Sequence, residues 1–177
     1  MKIDKKMVLI IIPIILVLMI VAISSITLRY KIEEKNINKN ELIYNNPSKF
    51  EKSMDEVDYI SYYYNSDNIS CSYVITMYEN YMEYKDGKDY LEDNITFTLN
   101  DKVEKIEEKS IENYKWYSLK IDKGSETEYN YATIYNNNTY ELTYRIHDYM
   151  KGDYSNEDDN YCYNALDELL SSLSFKK

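Results

Sequence analysis

The stretch Glu128-Tyr129-Asn130-Tyr131-Ala132-Thr133-Ile134-Tyr135-Asn136-Asn137-Asn138-Thr139-Tyr140-Glu141-Leu142-Thr143-Tyr144-Arg145-Ile146-His147 decides the fold. Before the three Asn residues, Tyr129, Tyr131, Thr133 and Tyr135 alternate with Ala132 and Ile134. After them, Tyr140, Leu142, Tyr144 and Ile146 alternate with Glu141, Thr143, Arg145 and His147. A period of two sends alternate side chains to opposite sides of a strand, so both halves read as strands. The Asn residues read as the turn, because Asn tolerates the positive φ that tight hairpins require. The result is an antiparallel hairpin with one apolar and one polar face.

The same pattern extends outward. In residues 115–121, Tyr117, Leu119 and Ile121 share a face, with residues 105–112 before them and an Asp122-Lys123-Gly124-Ser125 turn after them. In residues 69–77, Ile69, Cys71, Tyr73, Ile75 and Met77 oppose Ser70, Ser72 and Thr76, and Val74 breaks the alternation. Residues 59–64 are the expected partner strand, turned at Asn65-Ser66-Asp67-Asn68. After Asp86-Gly87, residues 89–93 read as a helical turn leading into Ile95-Thr96-Phe97-Thr98-Leu99, whose element type the pattern leaves open.

The C-terminus changes period. Cys162, Ala165, Leu166, Leu169, Leu170 and Leu173 fall at i, i+3, i+4, i+7, i+8 and i+11, the core-facing stripe of a helix. Ser155 and Asp158 resemble a capping box, and Glu157, Asp158 and Asp159 suit the positive end of the helix dipole. Leu173-Ser174-Phe175 returns to alternation as a short closing strand. An antiparallel meander packed with a C-terminal helix is an α+β arrangement.

Ahead of this lies a segment of another kind. Residues 7–23 hold no polar side chain, and residues 7–28 would extend about 33 Å as a helix, close to the hydrocarbon thickness of a bilayer. The expected organisation is a cytoplasmic head at 1–6, a transmembrane signal-anchor at 7–28, a polar stalk at 29–47 and an exported α+β domain at 48–177. Lys counts on the two sides of the run do not set its orientation; the short basic head does, in the layout of a signal-anchor. The rival is a cleaved signal read at Ala22-Ile23-Ser24, which would leave a secreted protein, but the apolar run is longer than a signal core needs.

Beyond residue 28 the chain carries 18 basic and 30 acidic side chains, a net −12. Such a domain lacks the basic surface that neutralises phosphates, so no nucleic-acid partner is expected. One His and two Cys cannot assemble a His-rich or multi-Cys metal site. The acidic run 153–160 lacks the glycine and terminal glutamate of a calcium loop and is better explained as a helix start. No nucleophile–base pair, phosphate loop or paired-carboxylate motif stands out, so no enzyme activity and no cofactor are expected. His147, beside Asp148 at a strand end, reads as a surface histidine.

Cys71 and Cys162 both face the apolar side of their elements and hence the same core. Two Cys in an exported domain permit one pairing; the alternative is two buried thiols acting as small hydrophobes. The 22 Tyr residues suit sheet positions, where the ring packs and the hydroxyl stays wet, and the composition is also one an AT-rich genome produces. Tyr62, Tyr63 and Tyr64 are a candidate contact surface.

Tyr114-Lys115-Trp116-Tyr117-Ser118-Leu119, the 131–135 and 140–144 hairpin, and Leu169-Leu170-Ser171-Ser172-Leu173-Ser174-Phe175 together resemble the PsbP/Mog1-like α/β/α sandwich of small exported domains. Asn113-Tyr114 stands where that family usually has a Gly before the Trp strand. The resemblance implies a binding or assembly role; the apolar run 7–28 adds the expectation of a membrane attachment, and with it a protein partner at the cell surface. The alternative is a subunit of an envelope secretion or conjugation machine with an NTF2-like domain.

Overall fold

The structure, a computed structural model, describes residues 41–80, 82–149 and 157–176. The expected transmembrane segment 7–28, most of the stalk and the Ser155 cap lie outside these residues. Among the described residues no helix is long and apolar enough to cross a membrane.

Chain order is β1 (Leu42–Ile43), β2 (Glu51–Asp55), β3 (Tyr59–Asn65), β4 (Ile69–Glu79), α1 (Gly87–Asn94), β5 (Lys102–Val103), β6 (Glu107–Ile111), β7 (Tyr114–Asp122), β8 (Glu126–Tyr135), β9 (Asn138–Asp148), α2 (Glu157–Ser172) and β10 (Ser174–Phe175). An eight-stranded antiparallel sheet runs β2-β3-β4-β9-β8-β7-β5, with β6 also on β7. β1 and β10 form a separate antiparallel pair. The hairpin that opened the reading is β8–β9, turned on Asn136 and Asn137 at φ 47° and 60°.

The face that α2 covers is apolar and aromatic. Register places Tyr62, Tyr73, Tyr144 and Tyr129 side by side across β3, β4, β9 and β8. The first two rings stack at 4.9 Å, and Tyr73 lies nearly parallel to Tyr144 at 6.3 Å. Such cross-strand aromatic pairs stabilise a sheet beyond their area. Their hydroxyls are not simply wet: Tyr73 Oη donates to Asn46 Oδ1 at 2.7 Å and Tyr144 Oη to the Cys162 carbonyl at 2.7 Å. The α2 stripe of Cys162, Ala165, Leu166, Leu169 and Leu173 is buried on this face, and Trp116 lies in the same core.

The opposite face carries α1, packed on β7 and β8. Tyr90 and Leu91 meet Tyr117, Leu119, Ile121 and Ala132 in a second, smaller core. The approach is close enough to require glycine. A Cβ on Gly87 would fall 2.1 Å from the Ala132 carbonyl oxygen. Asp86 caps the helix by accepting from the Lys88 and Asp89 amides, and Tyr117 Oη donates to its other oxygen.

Three features lie beyond what the sequence patterns specify. The fold reaches back into the expected stalk: Leu42 is buried and pairs with Phe175, while the Asn45 amide donates to Ser172 Oγ. Leu42-Ile43-Tyr44 is too short an apolar run among Asn, Glu and Lys to show a period, so this strand is set only by its distant partner. β2 was equally silent, since all five of its residues are exposed. Residues 95–99 form no strand despite their alternation. The Ile95 amide closes α1 on the Leu91 carbonyl, and Asp101 accepts from the Thr98 amide, holding a turn that leaves Phe97 and Leu99 exposed.

Candidate functional site

The polar side of the hairpin was expected to face water. Instead α1 and the neighbouring strands enclose part of it. Cross-strand register sets Glu128 opposite Arg145, Asn130 opposite Thr143 and Ala132 opposite Glu141. These side chains form a ladder. Glu128 accepts from Arg145 Nε at 2.8 Å and Lys123 Nζ at 2.9 Å, and Asn130 Nδ2 donates to its other oxygen at 3.0 Å. Thr143 Oγ1 lies 3.1 Å from Asn130 Oδ1 and 3.2 Å from Glu141 Oε1. Tyr90 Oη, brought across by α1, donates to Glu141 Oε2 at 2.7 Å.

The two glutamates sit two rungs apart and titrate in opposite directions. Burial alone would raise Glu128, but the bonds from Arg145, Lys123 and Asn130 outweigh it and hold the carboxyl at about 2. Burial raises Glu141 above the ordinary carboxylate range, and the Glu128 charge adds to the rise. The difference is the partners. Glu128 has two cations, while Glu141 has hydroxyls and a cation already committed to Glu128.

Away from α1 the same face stays half-exposed over Ser70 and Ser72. His147 lies here, its Nε2 2.9 Å from Glu126 Oε2 across the β8–β9 pair. Among the described residues no group of His, Cys, Asp and Glu is placed to hold a metal ion.

Of the expected contact surface, only Tyr63 is exposed, with its hydroxyl bonded to Glu51. Tyr62 is buried in the tyrosine row, and Tyr64 packs on Tyr161 and Phe50. The reason is the strand period: three consecutive residues cannot share one face. The three do not form one surface. Cys71 and Cys162 are joined as a disulfide, with Cα atoms 5.9 Å apart, tying α2 to the centre of the sheet.

A groove of about 370 Å³ lies where the β1–β10 pair meets the main sheet. Leu42, Ile43, Tyr44, Ile60 and Met77 line it together with Asp55 and Lys176. Sequence reasoning missed both the groove and the ladder. The groove depends on β1, which has no local signal, and the ladder looks like an ordinary solvated strand face until α1 is placed. Glu141 is flanked by Tyr140 and Leu142 just as Arg145 is by Tyr144 and Ile146, and alternation sends those neighbours to the other face, so no local signal marked it.

No family model matches the chain, and no curated protein matches its sequence. Among solved structures it is similar to a Bacteroides thetaiotaomicron protein known from a crystal structure at 1.50 Å resolution. The identity is 15% and the TM-score 0.41, with 77% of this chain and 45% of that one covered. The chain thus spans less than half the length of that protein.

Proposed function

We propose that the chain is a membrane-anchored extracytoplasmic protein whose α+β domain is a non-enzymatic binding or assembly module of the PsbP/Mog1-like type. Residues 7–28 are the anchor in this reading, with the domain outside the cell and a protein partner at its surface. The observation that carries it is the Cys71–Cys162 disulfide. Disulfides persist in oxidising compartments and are rare where thioredoxin and glutathione keep thiols reduced. Supporting it are the apolar run 7–28, the acidic balance that keeps a domain soluble beside anionic lipid, and α1 and α2 on opposite faces of one sheet. The docking of α2 on the sheet also favours this fold over the NTF2-like alternative.

The test is made on intact cells producing the full chain. A C-terminal tag should be destroyed by external protease, the protein should sediment with membranes, and denatured non-reduced protein should take up no thiol label. A tag protected until lysis, together with two labelled Cys, would place the domain in the cytoplasm and overturn the proposal.

A further inference from the structure

Hydrogen counting on the α1 face leads to a proton that the sequence does not announce. Thr143 has one hydroxyl hydrogen and lies between two oxygens, Asn130 Oδ1 at 3.1 Å and Glu141 Oε1 at 3.2 Å. Asn130 is oriented from its other side. Its Nδ2 faces Glu128 Oε1, and a carboxylate held by Arg145 and Lys123 can only accept. Asn130 therefore presents its carbonyl oxygen to Thr143, and the Thr143 hydrogen goes there. That leaves Thr143 Oγ1 as an acceptor facing a second oxygen at hydrogen-bond distance. At 3.2 Å the two oxygens are only in contact, and a carboxyl proton on Glu141 would turn that contact into a hydrogen bond.

We propose that Glu141 is a protonated carboxylic acid in the folded domain and acts as a pH-sensitive latch between α1 and the sheet. The latch closes through Tyr90, whose hydroxyl donates to Glu141 Oε2 at 2.7 Å. Around the carboxyl stand Tyr90 from α1, Thr76 and Tyr78 from β4, Glu128 and Asn130 from β8, and Thr143 and Arg145 from β9. Arg145 is the cation among them, and its Nε is bonded to Glu128. On losing its proton Glu141 becomes a second negative charge beside Glu128. The Thr143 hydrogen must then swing to Glu141, and Asn130 Oδ1 loses its donor. Water has to enter under Tyr90 to solvate the charge, which loosens α1. Burial raises the carboxyl in the same sense, outweighing the hydroxyl contact of Tyr90.

Infrared titration of the full-length protein in detergent tests this directly. At about pH 6, where an ordinary glutamate is ionised, a buried carboxylic C=O band should be present and should vanish in Glu141→Gln, since Gln keeps both hydrogen bonds without a titrating proton. Amide exchange of residues 88–94, taken as the ratio of wild type to Glu141→Gln so that intrinsic rates cancel, should stay near unity at low pH. It should rise several-fold as the band titrates away. Absence of the band at that pH, or a ratio that stays at unity throughout, overturns the latch. Should Glu141→Gln fail to fold, Tyr90→Phe decides: removing its hydroxyl shifts the band if Glu141 owns it and leaves the band in place if another carboxyl does.

Discussion

Where α2 crosses the sheet, the strands present a row of tyrosines, Trp116 and a disulfide; where α1 lies on the other side, the same strands present Glu128, Asn130, Glu141 and Arg145. The α2 face is fixed by apolar burial and a covalent tie. Its tyrosine hydroxyls are bonded to Asn46, Glu41 and the Cys162 carbonyl. The α1 face combines a small apolar patch with a polar ladder, so its strength depends on protonation and on cation partners. One sheet thus carries a pH-indifferent core on one side and a titrating one on the other.

The largest test of that contrast is the disulfide. Replacing Cys71 and Cys162 by Ala together opens a tie of 91 residues, and the loss should be about 4 kcal/mol on the chain-entropy account. Urea unfolding of the full-length protein would measure it, and the exchange of residues 88–94 relative to the rest of the sheet should be unaltered. If α1 loosens as much as α2 does, the two faces are one cooperative unit and the contrast fails.

Gly87→Ala addresses the other face. The added Cβ meets the Ala132 carbonyl, a backbone group that cannot swing aside, so overpacking should cost about 2–3 kcal/mol. Exchange should rise first in α1, with the Tyr62–Tyr73–Tyr144 row still protected. A uniform loss across both faces would count against separate cores.

Acid should act on the α1 face through Glu128. Its carboxyl is held at about 2, so the contribution is full above the ordinary carboxylate range and is lost as pH falls through that value. Discounting for the half-exposed Lys123 and Arg145, the loss is about 2 kcal/mol, and Glu128→Gln should abolish that pH dependence. Glu141 runs the other way. A raised group contributes fully below the ordinary carboxylate range and loses its contribution as pH rises through its folded value. Comparing stability–pH curves of the two Gln variants would sharpen the comparison: one should flatten the acid limb and the other the limb at higher pH.

The smallest expected effect lies in the β6–β7 turn, where Glu112 adopts φ 55°. Glu112→Gly relieves the left-handed strain at the expense of unfolded-state entropy, a net gain of about 0.5–1 kcal/mol. A gain in thermal midpoint without change in α1 exchange would place this turn outside both faces.

The strands β4, β7, β8 and β9 and the helix α2 were legible because each carries a period of two or 3.6, interrupted in β4 at Val74, that burial on one side enforces; β3 was legible as the partner across the turn at 65–68. The facing of Cys71 and Cys162 was legible for the same reason. Their joining was not, since periodicity gives direction and not distance. The patch of Tyr62, Tyr63 and Tyr64 was misread by treating neighbours in sequence as neighbours on a surface.

By itself, the sequence determined a sheet of alternating strands, a C-terminal amphipathic helix, an acidic domain and an apolar run ahead of it, because these follow from local spacing and composition. Tertiary structure alone decided that β1 belongs to the fold, that Gly87 must be glycine, and that Glu128 and Glu141 are enclosed together. Each of these depends on what distant segments bring alongside: a strand's partner, a carbonyl beneath a helix, or a lid over a carboxyl.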